Sequence, residues 1–188
     1  MPINSGASNS SPFLSSDDAV FILIDMQERL VPAMYESERI VANARRLGAL
    51  ASTMGLPVIA TEQGKLGATL PELSQFIPGF NPISKMTFNC FGTDEFVRRI
   101  ENLGRTTLII AGIEAHICVT QTALWAQQYY TTQVVADAIS SRVLDNVNVA
   151  VDRMRMNGIT VTSTEMVIYE ILEKAGTDHF KAMLPYVK

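Results

Sequence analysis

The chain has 188 residues, 47% of them hydrophobic and 18% charged, with a formal net charge of -4, which suits one domain around a single core. An acidic chain with no Lys/Arg stripe argues against nucleic acid and against a membrane surface as partners. The longest apolar runs, at 20–24 and 108–111, are far too short to cross a bilayer.

The first 17 residues are rich in Ser and Asn and have neither the basic nor the apolar segment of a secretory signal. They are expected to form a flexible arm (1–17) ahead of one domain (18–188). The two cysteines, Cys90 and Cys118, are too few for a disulfide framework, so free thiols in a reducing, cytoplasmic compartment are expected.

From residue 19 the chain reads as strand, then helix, repeated. AVFILI at 19–24 is a continuous apolar run, the mark of a strand buried on both faces. Residues 36–54 carry Ile40, Val41, Ala44, Leu47, Leu50, Ala51 and Met54 at helical spacing. Gly55 stops that helix and Pro57 opens a strand at 58–61. Residues 62–81, with three Gly and two Pro, are irregular, and a loop of that length is more often functional than idle. A strand at 82–86 follows.

The same punctuation recurs twice. A helix through Phe96, Val97 and Ile100 ends at Gly104 before a strand at 106–111, and a helix is expected over 117–130. After a strand at 133–136, a helix through Val147, Ala150, Val151 and Met154 ends at Gly158 before a strand at 159–162. Thr162 and Glu165 have capping-box spacing ahead of a last helix. Three helix–Gly–strand junctions predict an α/β fold: a three-layer α/β/α sandwich on a mostly parallel, six-stranded, Rossmann-like sheet.

Open parallel sheets bind ligands outside the carboxyl ends of their strands. The reactive residues just after strands are Asp25, Lys85, Glu114, His116, Cys118 and Asp137. Asp25 abuts four apolar residues and suits proton transfer, although a strand-end Asp also caps turns. Cys118, in the first turn of the 117–130 helix, is placed where unpaired N–H groups and the helix dipole favour a thiolate; a small buried apolar Cys is the alternative. His116 is two residues from Cys118 and does not face it on a helix, and His179 lies beyond the last strand. A carboxylate is therefore the better base, and Asp25 is the one expected there. Lys85 near the two would keep Asp25 ionised and favour thiolate; by itself it is an ordinary loop lysine. Two separated histidines and two separated cysteines give no metal-ligand spacing, so no metal and no cofactor are expected.

ILIDMQ at 22–27, the Lys of ISKMTF at 83–88, and AGIEAHICVTQTA at 111–123 together resemble the isochorismatase-like (cysteine) hydrolases, the family of nicotinamidases and carbamoylsarcosine amidohydrolases. TEQGKLGATLPEL at 61–73 is similar to an uncharacterised isochorismatase-domain subgroup. The resemblance covers about residues 18–175. It implies a Rossmann-like sheet of order 3-2-1-4-5-6 and an Asp–Lys–Cys triad on Asp25, Lys85 and Cys118. It also implies a non-proline cis peptide between Ile113 and Glu114, with the Glu114 and Cys118 N–H groups forming an oxyanion hole, and a homo-oligomer. Nicotinamidases add an Asp-x-His and a further His for a metal, and residues 61–81 here hold no His and no Asp. Vinyl-ether-cleaving isochorismatases lack the Cys that this chain has.

The expected function is thus hydrolysis of a small non-peptide amide or carbamoyl C–N bond through a thioester on Cys118. Isochorismatase-type vinyl-ether hydrolysis by Asp25 alone, a non-catalytic binding or scaffold protein, and a redox-sensing thiol are the alternatives. Gln27, Gln63, Phe91 and His116 are expected to wall the pocket.

Overall fold

The computed structural model describes residues 12–187. Six strands form one parallel sheet: β1 (Ala19–Ile24), β2 (Val58–Gln63), β3 (Ile83–Lys85), β4 (Thr107–Ile113), β5 (Thr131–Ser140) and β6 (Thr160–Thr162). Their order is β3-β2-β1-β4-β5-β6, so the α/β sandwich expected from the junction pattern is the fold observed.

Helices cover both faces. On one, Phe21 and Leu23 of β1 meet Leu47 and Leu50 of α1 (Ser37–Met54) and Ile168 of α6 (Thr164–Leu172). On the other, Val20, Ile22 and Ile24 meet Phe96 and Ile100 of α3 (Asp94–Leu103), Ala123 of α4 (Thr120–Ala126) and Met154 of α5 (Leu144–Met156). Successive side chains of a strand point to opposite faces, which explains why AVFILI shows no alternation. Burying each of the large side chains among them is worth about 1.5–3 kcal/mol.

The punctuating glycines act as read. Gly55 and Gly104 end α1 and α3 in the left-handed conformation, where only a residue without Cβ is unstrained.

Several local expectations are corrected. The 117–130 helix begins instead as a π-helical turn, Ala115–Val119, and continues as α4 only to Ala126. The Thr120 hydroxyl donates to the Ala115 carbonyl at 2.6 Å within this turn, a bond that hydrophobic periodicity does not encode. Ser163, not Thr162, caps α6 by accepting from the Met166 N–H. The irregular 62–81 stretch holds a one-turn helix, α2 (Pro71–Ser74). The tail beyond β6 ends in a further helix, α7 (Asp178–Val187), whose Met183 is buried. Of the expected arm, residues 1–11 lie outside the described residues, and Leu14 is buried in the core with its N–H on Glu170 Oε2 at 3.0 Å. The arm is therefore held at least from Leu14 onward. No described helix is long and apolar enough to cross a membrane.

Candidate active site

Asp25 follows directly on β1 and turns the chain, with φ at 54°; Asp is among the few side-chain-bearing residues that tolerate this region. Its N–H stays on the sheet, donating to the Thr61 carbonyl at 3.1 Å, while the Gln27 N–H returns to the Asp25 carbonyl at 2.8 Å. Lys85 is the last residue of β3. Cys118 sits in the π-helical turn after β4. Gly112, with φ at 125°, lets β4 lie against the end of β1; a Cβ there would run into the Ile24 carbonyl oxygen. The sheet order then brings these strand ends together.

The three functional groups converge. Lys85 Nζ donates to Asp25 Oδ2 at 2.7 Å and lies 3.7 Å from Cys118 Sγ. Its remaining partners are Gln63 Oε1 at 2.8 Å and the Thr87 carbonyl at 3.2 Å. The Thr61 hydroxyl donates to the other Asp25 oxygen at 2.8 Å. The ion pair is sealed, with side-chain exposures of 0% and 1%. Although burial opposes it, the Asp25 carboxylate holds the Lys85 ammonium above the ordinary lysine range.

The thiol behaves differently from the expectation. Burial first, and the Asp25 charge second, push Cys118 up to about 12, against the opposing pull of Lys85. Cys118 is therefore a neutral thiol at rest, not a preformed thiolate. The nearby carboxylate and the loss of water outweigh the one cation.

A family profile described as Isochorismatase domain matches residues 19–166. The chain belongs to the isochorismatase family. Isochorismatase domain-containing protein 2 of zebrafish (Danio rerio) is 33% identical over 172 residues, covering 89% of this chain and 86% of the relative. Among solved structures, the MAR1 ribonuclease of Caenorhabditis elegans is similar with a TM-score of 0.86 and 26% identity, covering 93% of this chain and 92% of that one. The YcaC product of Escherichia coli, described as an octameric hydrolase of unknown specificity, gives 0.86 and 27%, covering 96% and 95%.

Within this isochorismatase-family frame the remaining residues separate clearly. The Ile113–Glu114 peptide is cis. The Glu114 side chain accepts from Arg142 N–H and Nε, both at 3.2 Å. His116 bonds through Nδ1 to Ser141 Oγ at 2.9 Å and through Nε2 to Asn146 at 3.4 Å, so both ring nitrogens are engaged away from the Cys118 sulfur.

Gln27 is not a wall residue. It is fully buried, and its amide is spent on the backbone: Nε2 donates to Gln63 O at 3.0 Å and Gly67 O at 2.6 Å, and Oε1 accepts from Gln63 N at 2.8 Å. Gln63 is committed too, with Oε1 on Lys85 and Nε2 on Met86 O at 3.0 Å. Phe91 is half-buried and packs edge-on against Phe96 and tilted against Tyr130, on the side of the core. Asp137 lies inside β5 and accepts from the Thr164 N–H and hydroxyl, both at 2.8 Å, so it anchors α6.

Thr61 and the Thr87 carbonyl escaped the sequence reading. Thr61 is the residue at which β2 meets Ile24 of β1, and a polar side chain at a buried strand end was the available signal. Cys90 is fully buried nearby, its thiol pushed up to about 11 by burial. Among the described residues no group of three or more His, Cys, Asp or Glu gathers in a metal-binding arrangement. A concavity of about 680 Å³ lined by Phe13, Leu14, Met166, Tyr169 and Glu170 includes none of the three central residues.

Proposed function

We propose that this isochorismatase-family protein is a cysteine hydrolase that cleaves a small non-peptide amide or carbamoyl C–N bond. The observation that carries the reading is the single buried ammonium, Lys85, which touches both the Asp25 carboxylate and the Cys118 sulfur. With the thiol neutral at rest, attack and proton transfer must be coupled. Asp25 takes the Cys118 proton as the sulfur bonds to the substrate carbonyl carbon. The backbone N–H groups of Glu114, just before the π-helical turn, and of Cys118, within it, hold the developing oxyanion. Asp25 then returns the proton to the leaving nitrogen, the C–N bond breaks, and a thioester remains on Cys118. Water attacks the thioester, giving its proton to Asp25; the C–S bond breaks, the acid leaves, and Asp25 passes that proton to the sulfur, restoring the thiol. Lys85 holds its positive charge beside Asp25 and donates no proton.

The test is a panel of small amides and carbamoyl compounds with Cys118→Ala as the control. Turnover abolished in the variant, with an acyl adduct on Cys118 in the intact mass of the wild type, is the expected result. Turnover of these amides that survives Cys118→Ala would overturn the thioester route, and cleavage of an isochorismate-like vinyl ether by the variant would instead favour vinyl-ether hydrolysis by Asp25. The reaction needs no metal or cofactor, so chelation leaves it unchanged. The name of the nematode neighbour raises RNA as a substrate, but a chain of net charge -4 without a basic stripe lacks the usual means of holding a phosphate backbone. We place the protein in the cytoplasm on its free thiols, and as a homo-oligomer on its likeness to an octameric hydrolase. Light scattering that returns only the 20.7 kDa monomer would remove the latter assignment.

A further inference from the structure

Two side chains of β2 grip the ion pair, and the mechanism above assigns them no part. Thr61 and Gln63 are two residues apart on an extended strand, so both side chains leave on the same face. Thr61 donates to Asp25 Oδ1 at 2.8 Å, leaving Oδ2 to Lys85 at 2.7 Å. Each carboxylate oxygen therefore carries one short hydrogen bond, which fixes the plane of the group. On the far side of the hydroxyl, Cys90 Sγ lies 4.0 Å from Thr61 Oγ1. As a neutral S–H donor it leaves the hydroxyl proton free to point at Asp25.

Gln63 does the matching task for the cation. Its Nε2 faces the Met86 carbonyl, so its Oε1 must face the Lys85 ammonium, and the amide has one chemically sensible orientation. Asp25, Gln63 and the Thr87 carbonyl are the three oxygen acceptors around the ammonium. Cys118 Sγ, at 3.7 Å, is a fourth and longer acceptor within its reach.

We propose that Thr61 and Gln63 are positioning residues for the Cys118 reaction: Thr61 orients Asp25 as the proton acceptor, and Gln63 holds the Lys85 charge beside it. This rests on Cys118 being the nucleophile. The groups that face Asp25 are then Lys85 from β3, Cys118 from the turn after β4, Thr61 from β2, and Cys90 behind Thr61.

The experiment measures the rate of acrylamide addition to Cys118 by intact mass across pH, which requires no knowledge of the substrate. Thr61→Val keeps the shape and removes the donor, and Thr61→Ser restores it. For Thr61→Val we expect addition slowed about tenfold in mild acid, with wild-type rates recovered at alkaline pH, because loss of one hydrogen bond to the charged form moves the acid limb upward. Thr61→Ser should return that limb. Gln63→Glu sets a second negative charge against Lys85 and should move the alkaline limb upward. Profiles of Thr61→Val that superimpose on wild type, or a slowing equal at every pH that Thr61→Ser does not reverse, would overturn the proposal while leaving the nucleophile reading intact. A wild-type protein that adds no acrylamide at Cys118 at any pH would overturn both.

Discussion

At the scale of single residues, the site is governed by what burial does to charge. An ammonium and a carboxylate removed from water each lose several kcal/mol of solvation, and attraction offsets this only where every remaining hydrogen-bonding position is filled. Lys85 and Asp25 meet that condition through Thr61, Gln63 and the Thr87 carbonyl. The thiol has no such support, and its proton stays on. Ultraviolet titration of the folded protein should therefore show no thiolate absorbance at neutral pH. Burial pushes Cys90 up to about 11 and Cys118 up to about 12, so thiolate belongs to the alkaline range for both. Iodoacetamide should still reach Cys118 before Cys90, because Cys118 is 6% exposed and Cys90 not at all. A thiolate signal titrating near pH 7 would contradict this account. The identities of Asp25, Lys85 and Cys118 were legible because reactive residues directly after apolar strands stand out in a sequence. The protonation state of Cys118 was not, because it depends on a carboxylate 93 positions away in the chain and on burial that only the packed fold creates.

At the scale of elements, β1 and β4 are joined at their starts as well as at the site. Asp18 Oδ1 accepts from the Thr106 N–H at 2.8 Å, and Oδ2 accepts from the Thr106 and Thr107 hydroxyls at 2.8 and 2.7 Å. Arg105 reaches across to the Ser16 and Ala19 carbonyls at 2.6 and 2.8 Å. Burial opposes ionisation of Asp18, but these bonds from Thr106 and Thr107, with Arg105 close by, hold its carboxyl below the usual range. A depressed value means the stabilisation is present above the unfolded value of about 4 and is lost as pH falls through the folded one. Asp18→Asn should therefore cost about 1 kcal/mol in denaturant melts at neutral pH, a solvent-discounted figure. The deficit should vanish in strong acid; one that persists there would show that the charge is not what matters. Strands and their glycine stops were readable because buried apolar runs and left-handed caps leave local marks. The π-helical turn was not, since its defining bonds are between backbone groups, the Val119 N–H on the Glu114 carbonyl at 3.2 Å and the Thr120 N–H on the Ala115 carbonyl, and leave no mark in the side-chain pattern. Nor was α7 read, although the Phe180 N–H on Thr177 Oγ1 at 3.0 Å marks a start that Thr177 followed by Asp178 could have signalled.

At the scale of the molecule, the site is assembled from four neighbouring strands of the sheet: Lys85 on β3, Thr61 and Gln63 on β2, Asp25 after β1 and Cys118 after β4. The strand count and alternation came from the sequence pattern, whereas the order of the strands came from family resemblance, because nothing local says which strand lies beside which. These four contributions are unequally anchored. β1 runs through the centre of the sheet, but β3 is three residues at its edge, paired on one side only. Short edge segments open at a fraction of the global unfolding free energy. Fraying of β3 withdraws the ammonium while the rest of the sheet stays folded, leaving the Asp25 carboxylate without its charge partner. The Gly64 amide, which donates to the Lys85 carbonyl at 2.8 Å, is the natural sensor of that event, and its hydrogen exchange should run faster than that of the β1 amides. On heating, activity should accordingly fade below the melting temperature of the domain, and the order of the two losses measures how much of this enzyme's working life is set by its weakest three residues.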